Sequence, residues 1–180
     1  TTLSGLNVTI VTKPEFINQA VIIGTPFSGL STSATINGEL KEFAPGLAHF
    51  LEHQLFENDL GSIMSDFTDL GANVNAFTSY SETAYYFSTT NDLQAPLALL
   101  LDMVHSSSIT EASAQKEKGI IIQELNMYDQ MPESILIKST LSQLYRNHPL
   151  KNDIGGSQES VTAITHEDLN QAYSYFYHPS

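Results

Sequence analysis

Two histidines and a glutamate are the residues in this sequence whose types and spacing most clearly suggest chemistry. His49, Glu52 and His53 lie in the segment HFLEH. In a helix, His49 and His53 are one turn apart, about 5–6 Å, so both imidazoles can reach one metal ion. Zn²⁺ lowers the pKa of its bound water to about 7, and Glu52, which flanks this face, can take a proton as that water attacks a carbonyl group. The pattern therefore predicts a zinc-dependent hydrolytic site.

The alternative is that His49 and His53 are ordinary helix histidines with satisfied hydrogen bonds. The whole chain holds six histidines. With so few, the HxxEH pattern arises by chance with a probability on the order of one per cent. The metal site is therefore the favoured interpretation.

A catalytic zinc usually has three protein ligands, so a third donor is needed from elsewhere in the chain. Glu57 lies on the same helix face, but it is about 12 Å from His49 along the axis, which is too far for both to bind one ion. Glu117 and Glu124 share one face of a later predicted helix, about 10 Å apart. One of them could bind the metal while the other stands behind it. Either could equally be a solvated helix glutamate, and their spacing does not choose between them.

The surrounding pattern indicates the elements that must position these residues. Apolar alternation predicts strands over residues 6–12, 19–25, 73–78 and 83–88, the last two forming a hairpin. Helical periodicity and capping signals predict helices from Leu47 to Leu55, over residues 63–70 and 92–106, from the Thr110 N-cap to Asp129, from Pro132 to Tyr145, and after a Thr165 cap. Residues 29–38 could form a strand or a loop, and residues 147–160 read as a loop.

These elements predict an α+β fold in which a mixed, mostly antiparallel sheet packs against helices. A length of 180 residues with 41% hydrophobic residues fits one domain over residues 1–180. The pattern stops at Pro179-Ser180 directly after a helix, where a closing strand is still expected. We therefore expect the chain to be truncated at its C-terminus.

Composition excludes several classes of function. A net charge of −13 disfavours nucleic-acid partners, because an acidic surface repels phosphate. No apolar run approaches the roughly 18 residues of a membrane-spanning helix, so no membrane partner is expected. The chain has no cysteine. It therefore has no thiolate site, and its composition suits a cytoplasmic location, here expected to be bacterial.

Three segments resemble one family, the pitrilysin and insulinase zinc peptidases or inverzincins, and within it the bacterial processing-peptidase-like members. They are GLAHFLEHQLFE (46–57), GANVNAFTSYSETAYYFS (71–88) and EKGIIIQELNMYDQMPE (117–133). The resemblance implies that His49, His53 and Glu124 bind zinc and that Glu52 is the general base. It also implies that Glu117 is a functional acid supporting the ligands, so it favours Glu124 over Glu117 as the third ligand.

The resemblance also implies where substrate binds. Asn75, Ala76 and Phe77 would lie on an edge strand to which an extended peptide adds as a further strand, which exposed edge N–H and C=O groups allow. The alternative is that these residues belong to an interior strand with no role in binding.

The implied function is a zinc-dependent endopeptidase that hydrolyses peptides held in an extended conformation, with Glu52 activating a zinc-bound water. One alternative is a non-catalytic or partner-dependent peptide-binding subunit of a heterodimeric peptidase, and another is a hydrolase of non-peptide amides. Members of the family enclose substrate between two or more α+β units. The expected partners are therefore a peptide and a second homologous domain or subunit.

Overall fold

A computed structural model describes residues 2, 5–36, 38–58, 61–106 and 108–178. In chain order its elements are β1 (Gln19–Thr25), β2 (Ser33–Ile36), β3 (Glu39–Glu42), α1 (Leu47–Leu55), β4 (Glu57–Asn58), β5 (Gly61–Ser62), α2 (Met64–Asp69), β6 (Ala72–Thr78), β7 (Thr83–Thr89), α3 (Gln94–His105), α4 (Glu111–Tyr128), α5 (Pro132–Leu144), a 3₁₀ turn (Pro149–Lys151), α6 (Gln158–Ala163) and α7 (His166–Phe176). Strands and helices are largely segregated along the chain, so the predicted α+β fold is confirmed.

The main sheet has three antiparallel strands in the order β1-β7-β6. Thr83, at the start of β7, lies opposite both Thr25 of β1 and Thr78 of β6. The central strand β7 is largely buried, whereas β6 alternates, with Val74 turned inward and Asn75 exposed. Among the described strands β6 pairs only with β7, so it forms one edge of this sheet.

Helix α1 lies between two clusters of buried side chains. Phe50 and Leu51, both 0% exposed, belong to a cluster shared with α4, α6 and α7. Leu55 belongs to a second cluster, formed by the sheet together with α2 and α3. Burying a side chain such as Phe50 or Leu51 stabilises the fold by about 1.5–3 kcal/mol. With this stripe buried, the face of α1 that carries His49, Glu52 and His53 is left partly open.

The predicted starts of two helices are confirmed by their capping hydrogen bonds. The Thr110 hydroxyl accepts a hydrogen bond from Ser113 N at the start of α4, and the Thr165 hydroxyl accepts one from Asp168 N at the start of α7. Each cap satisfies a backbone donor that has no partner inside the helix. Within the described residues, no helix has both the length and the apolar character that crossing a bilayer requires.

The predicted strand over residues 6–12 is wrong. These residues form no regular secondary structure and pair with none of the described strands, and Ile10 and Val11 are 85% and 75% exposed. Alternation marks a strand only if another strand supplies its hydrogen bonds and one face packs. Here β7 already occupies one side of β1, and residues 6–12 contribute no buried face.

Two further regions differ from the sequence prediction. Residues 29–38, which the sequence left open as strand or loop, contain β2, and β2 pairs with β3, which was not predicted. Asn37 in this segment and the C-terminal Pro179 and Ser180 lie outside the described residues. The predicted loop over residues 147–160 contains the 3₁₀ turn and the start of α6. Helix α6 begins with a capping box from Ser157 and Ser160, and its six residues are too few to show helical periodicity.

Candidate metal centre

Helices α1 and α4 bring three metal-binding side chains to one point. The Oε2 atom of Glu124 lies 3.7 Å from Nε2 of His49 and 3.2 Å from Nε2 of His53. One donor atom from each residue falls within 4.8 Å of the other two. Donor atoms on a tetrahedral zinc are about 3.3 Å apart. The three side chains are therefore spaced as ligands of a single ion would be.

Glu117 lies on the other side of the His53 ring. Its Oε2 atom is 3.4 Å from His53 Nδ1, and the residue is 3% exposed. Glu117 therefore faces one nitrogen of His53 while Glu124 faces the other. An acceptor at Nδ1 fixes the ring orientation and leaves Nε2 free for a ligand. The seven-residue spacing could not make this distinction, because it depends on where α1 crosses α4.

Burial and neighbouring charges separate the pKa values of the two histidines. Burial, assisted by the nearby His53, lowers the pKa of His49 to about 4. Burial also lowers the pKa of His53, but hydrogen bonds to Glu117 and Glu124 outweigh it and raise the pKa to about 9. The hydrogen bond to His53 in turn lowers the pKa of Glu124. Two carboxylates thus face the two nitrogens of His53 and favour positive charge there, which a divalent cation at Nε2 would also supply.

Glu52 lies beside this cluster and is held by a residue that the sequence analysis missed. The Thr78 hydroxyl, at the end of β6, donates a hydrogen bond of 2.5 Å to Glu52 Oε2. Burial raises the pKa of Glu52, and this hydrogen bond opposes the rise. Nothing in the sequence marked Thr78 as functional, because threonine is an ordinary strand residue. Its role depends on the packing of α1 against β6.

The residues present fit a zinc ion. Two imidazoles and one carboxylate form a ligand set typical of catalytic zinc, which keeps a further position open. The side chains of His53 and Glu124 are 24% and 25% exposed, so solvent can reach the centre. His49 Nδ1 is buried without a hydrogen-bond partner in the described structure, which leaves Nε2 as the nitrogen facing the other donors. Across the described parts of the chain, no other group of three His, Asp or Glu residues converges in this way.

Comparison with known proteins gives the family. The family model described as insulinase, peptidase family M16, matches residues 39–158. This chain belongs to the insulinase family. The matched range includes α1, β6 and α4, which carry all the side chains described above.

Individual members of the insulinase family are similar over almost the whole chain. YmfH of Bacillus subtilis, named as an uncharacterized zinc protease, is 40% identical over 179 residues, which is 98% of this chain and 42% of YmfH. A probable mitochondrial-processing peptidase subunit beta of Schizosaccharomyces pombe is 30% identical over 173 residues, 93% of this chain and 36% of that protein. A crystal structure of an M16-like peptidase from Alicyclobacillus acidocaldarius has 37% identity and a TM-score of 0.94, covering 98% of this chain and 42% of that one. The chain thus spans about two fifths of these relatives.

The predicted substrate residues lie on the exposed edge strand of this insulinase-family fold. Asn75 and Phe77 are exposed on β6, and the Phe77 ring is 6.3 Å from that of Tyr86 on β7. Asn75 Oδ1 accepts a hydrogen bond of 2.8 Å from Ala76 N. Because β6 ends at Thr78, which holds Glu52, this edge runs toward the metal centre.

Glu57, excluded above as a ligand, and His148, a histidine within the predicted loop over residues 147–160, make other contacts. Glu57 forms an ion pair with Lys116, as expected for a residue too far along the axis to share an ion with His49. His148 is exposed, and its Nδ1 accepts a hydrogen bond from Leu150 N in the 3₁₀ turn.

Proposed function

We propose that this chain is the metal-binding unit of a zinc-dependent endopeptidase that hydrolyses peptides held in an extended conformation. The observation that carries the proposal is the convergence of His49, His53 and Glu124, with the Glu52 carboxylate beside them. Similarity to YmfH, named a zinc protease, supports the choice of metal and of reaction class.

In this proposal His49 and His53 would hold zinc through their Nε2 atoms, and Glu124 through a carboxylate oxygen. When bound, Zn²⁺ supplies a Lewis acid that polarises a carbonyl group and lowers the pKa of water to about 7. Glu117 accepts a hydrogen bond from His53 Nδ1 and so keeps that ring oriented. Glu117 is thus a positioning residue, whose effect on the reaction passes through His53.

Glu52 would carry a proton from the attacking water to the leaving amine. Thr78 occupies its Oε2 atom, which leaves Oε1 to take a proton from the water whose oxygen attacks the peptide carbonyl carbon. When the C–N bond breaks, the same carboxyl group gives that proton to the departing amine nitrogen. A pKa raised by burial suits both steps, because a general acid–base works best when its pKa approaches the working pH.

Residues 75–77 of β6 would bind the substrate backbone by strand addition. The proposal rests on the edge position of β6 and on its end at Thr78, beside the proton acceptor. Strand addition depends on backbone hydrogen bonds, so N-methylation at alternate residues of a bound peptide should weaken binding at least about tenfold. Fluorescence anisotropy of labelled peptides measures this. Two peptides methylated at the two alternating sets of residues should differ in affinity, because only one set faces β6. Equal affinities would reject the binding mode.

A second homologous unit, as a domain or a separate subunit, would close the opposite side of the cleft. This proposal is supported by the open face of the centre and by similarity to a protein named as a subunit of a processing peptidase. If the chain binds zinc and peptide but cleaves only after such a unit is added, the partner-dependent alternative is correct.

The bacterial cytoplasmic location stays a prediction.

Glu52→Gln is the direct test of the proposed reaction. The variant should bind zinc like the parent chain, while cleavage of a fluorogenic peptide falls at least about a hundredfold, because amide nitrogen cannot accept the proton. Glu39→Gln, an exposed change on β3, is the matched control and should retain both properties. Full cleavage by Glu52→Gln would reject Glu52 as the base.

A further inference from the structure

A loop that contains none of the proposed ligands lies next to His49. We propose that residues 152–156, here called the glycine loop, are a positioning element that fixes the His49 ring through close contact with Gly155. The loop joins the 3₁₀ turn to α6. This inference rests on the proposed zinc-dependent function and adds residues to the structure that orients its ligands.

Gly155 is buried between two parts of the metal centre. A Cβ atom on Gly155 would lie 3.6 Å from His49 Nδ1 and only 2.9 Å from Leu125 Cδ2. Leu125 directly follows Glu124 on α4, so the space beside Gly155 borders one proposed ligand and the neighbour of another. His49 Nδ1 is buried without a hydrogen-bond partner, so this side of the ring is placed by packing and not by a hydrogen bond. A methyl group at Gly155 would have to displace Leu125 or move the loop.

The loop has little room to move, because its backbone packs directly against the chain entering α1. Gly46, the N-cap of α1, has φ +93°, and a Cβ there would lie 2.6 Å from the Gly155 carbonyl oxygen. Gly156 has φ +78°, and its Cβ would lie 2.5 Å from the Pro45 carbonyl oxygen. Only glycine allows both the left-handed conformation and this approach at low cost. The position of the loop is thereby tied to the start of the helix that carries His49.

Asp153 closes the turn within the loop. Its Oδ1 atom accepts a hydrogen bond of 2.8 Å from Gly155 N, and its carbonyl oxygen accepts one of 3.0 Å from Gly156 N. Its Oδ2 atom is 3.2 Å from Lys138 Nζ, which also lies 3.0 Å from Asp129 at the end of α4. Asp153 therefore shapes the turn and, through Lys138, ties it to α5 and to the helix that carries Glu124.

The far side of the loop contacts the β6–β7 hairpin. The Tyr80 hydroxyl donates to the Asn152 carbonyl oxygen at 3.4 Å. Gly29, between β1 and β2, donates its N–H to the Ser79 carbonyl oxygen of the hairpin turn, and a Cβ on Gly29 would lie 3.2 Å from Ile154 Cγ1. Tyr80 lies two residues beyond Thr78, which holds Glu52. The glycine loop is thus packed against both the ligand helices and the end of the proposed substrate strand.

The test compares zinc affinity in the 180-residue chain with Gly155→Ala, Asp153→Ala and Asp153→Asn. Competition with a chromophoric chelator gives the zinc dissociation constant, the visible spectrum of the Co²⁺-loaded chain reports ligand geometry, and thermal unfolding of the metal-free chain reports stability. Gly119→Ala is the matched control, because Gly119 lies on α4 near Glu117 and a Cβ there meets nothing within 4 Å.

Gly155→Ala and Asp153→Ala should each weaken zinc binding about tenfold or more and alter the Co²⁺ spectrum, as changes in groups that orient ligands do. Asp153→Asn should recover most of the affinity, because its side-chain oxygen can still accept from Gly155 N. Gly119→Ala should bind zinc like the parent. Asp153→Ala affinity within twofold of the parent, or a loss that Asp153→Asn does not recover, would overturn the inference. If the parent itself binds no zinc, the proposed function fails instead.

Discussion

Thr78 controls the orientation of the proposed base at the scale of single residues. The Thr83 hydroxyl donates to the Phe27 carbonyl oxygen at 2.8 Å and lies 3.2 Å from the Thr78 hydroxyl. With the Thr83 hydrogen engaged in this way, the Thr78 hydrogen is directed to Glu52 Oε2. Hydrogen bonds to a charged group contribute about 1.5–3 kcal/mol, enough to hold one carboxylate rotamer.

Thr78→Val should therefore impair the reaction without removing the metal. The substitution keeps the shape of the side chain and deletes its donor, and displacing a catalytic group in this way lowers kcat by about 10–100-fold. Thr78→Ser should restore most activity, and Thr35→Val, an exposed strand position, is the control. Peptide cleavage rates together with zinc content check the result. Unchanged kcat in Thr78→Val, or loss of zinc, would contradict the role given to Thr78.

How far the site could be predicted differs from one residue to the next. HxxEH lies within one turn of helix, so its local spacing is enough to predict that His49 and His53 share a face. Glu117 and Glu124 share one face of their own helix, so the helix alone does not distinguish their roles. Only the crossing with α1 shows that Glu124 lies near both histidines and that Glu117 lies behind His53. Thr78 and Gly155 carry no local signal, because their importance comes from atoms supplied by distant segments.

At the scale of elements, a pair of tyrosines joins the sheet to the last helix. Tyr85 on β7, 1% exposed, has its hydroxyl 2.8 Å from that of Tyr177, which directly follows α7. Burial raises the pKa of Tyr85 well above its usual range and also raises that of Tyr177. Both phenols therefore stay neutral in the folded chain at pH values where an unfolded chain ionises them.

The free energy of unfolding should consequently fall as the pH rises above about 10, by about 1.4 kcal/mol per pH unit for each of the two groups. Below that pH their contribution is constant, because both states hold the proton. Tyr85→Phe should remove one group from this slope and lower stability at pH 8 by about 1–3 kcal/mol, since Tyr177 loses its partner. Denaturant unfolding from pH 8 to 11 measures both effects. The exposed Tyr128→Phe is the control, and parallel curves for the parent and Tyr85→Phe would contradict the argument.

Elements with strong local signals were predicted well, and those that depend on distant partners were not. Helix α4 has a capping box at Thr110, and α1 has apolar residues at helical spacing, so both could be located from the sequence alone. Residues 6–12 alternate like a strand but pair with none of the described strands. Conversely, β3 reads ELKE, which has little strand character, and forms because β2 lies opposite.

At the scale of the whole molecule, the metal centre joins segments that are far apart in the chain. Helix α1 contributes side chains to both buried clusters, whereas Glu117 and Glu124 come from α4. A ligand that binds only the folded chain stabilises it, by about 2.7 kcal/mol at a concentration one hundred times its dissociation constant. Zinc should therefore stabilise this arrangement as well as supply its chemistry.

The most direct measurement is a calorimetric titration of zinc into the metal-free chain and into Glu124→Gln. The parent chain should bind one zinc ion, and Glu124→Gln should bind it at least about a hundredfold more weakly, because a charged ligand is lost. Glu111→Gln, an exposed change in the first turn of the same helix, should bind like the parent. A parent chain that binds no zinc, or a Glu124→Gln chain that binds it equally well, would contradict the convergence of His49, His53 and Glu124 on one ion.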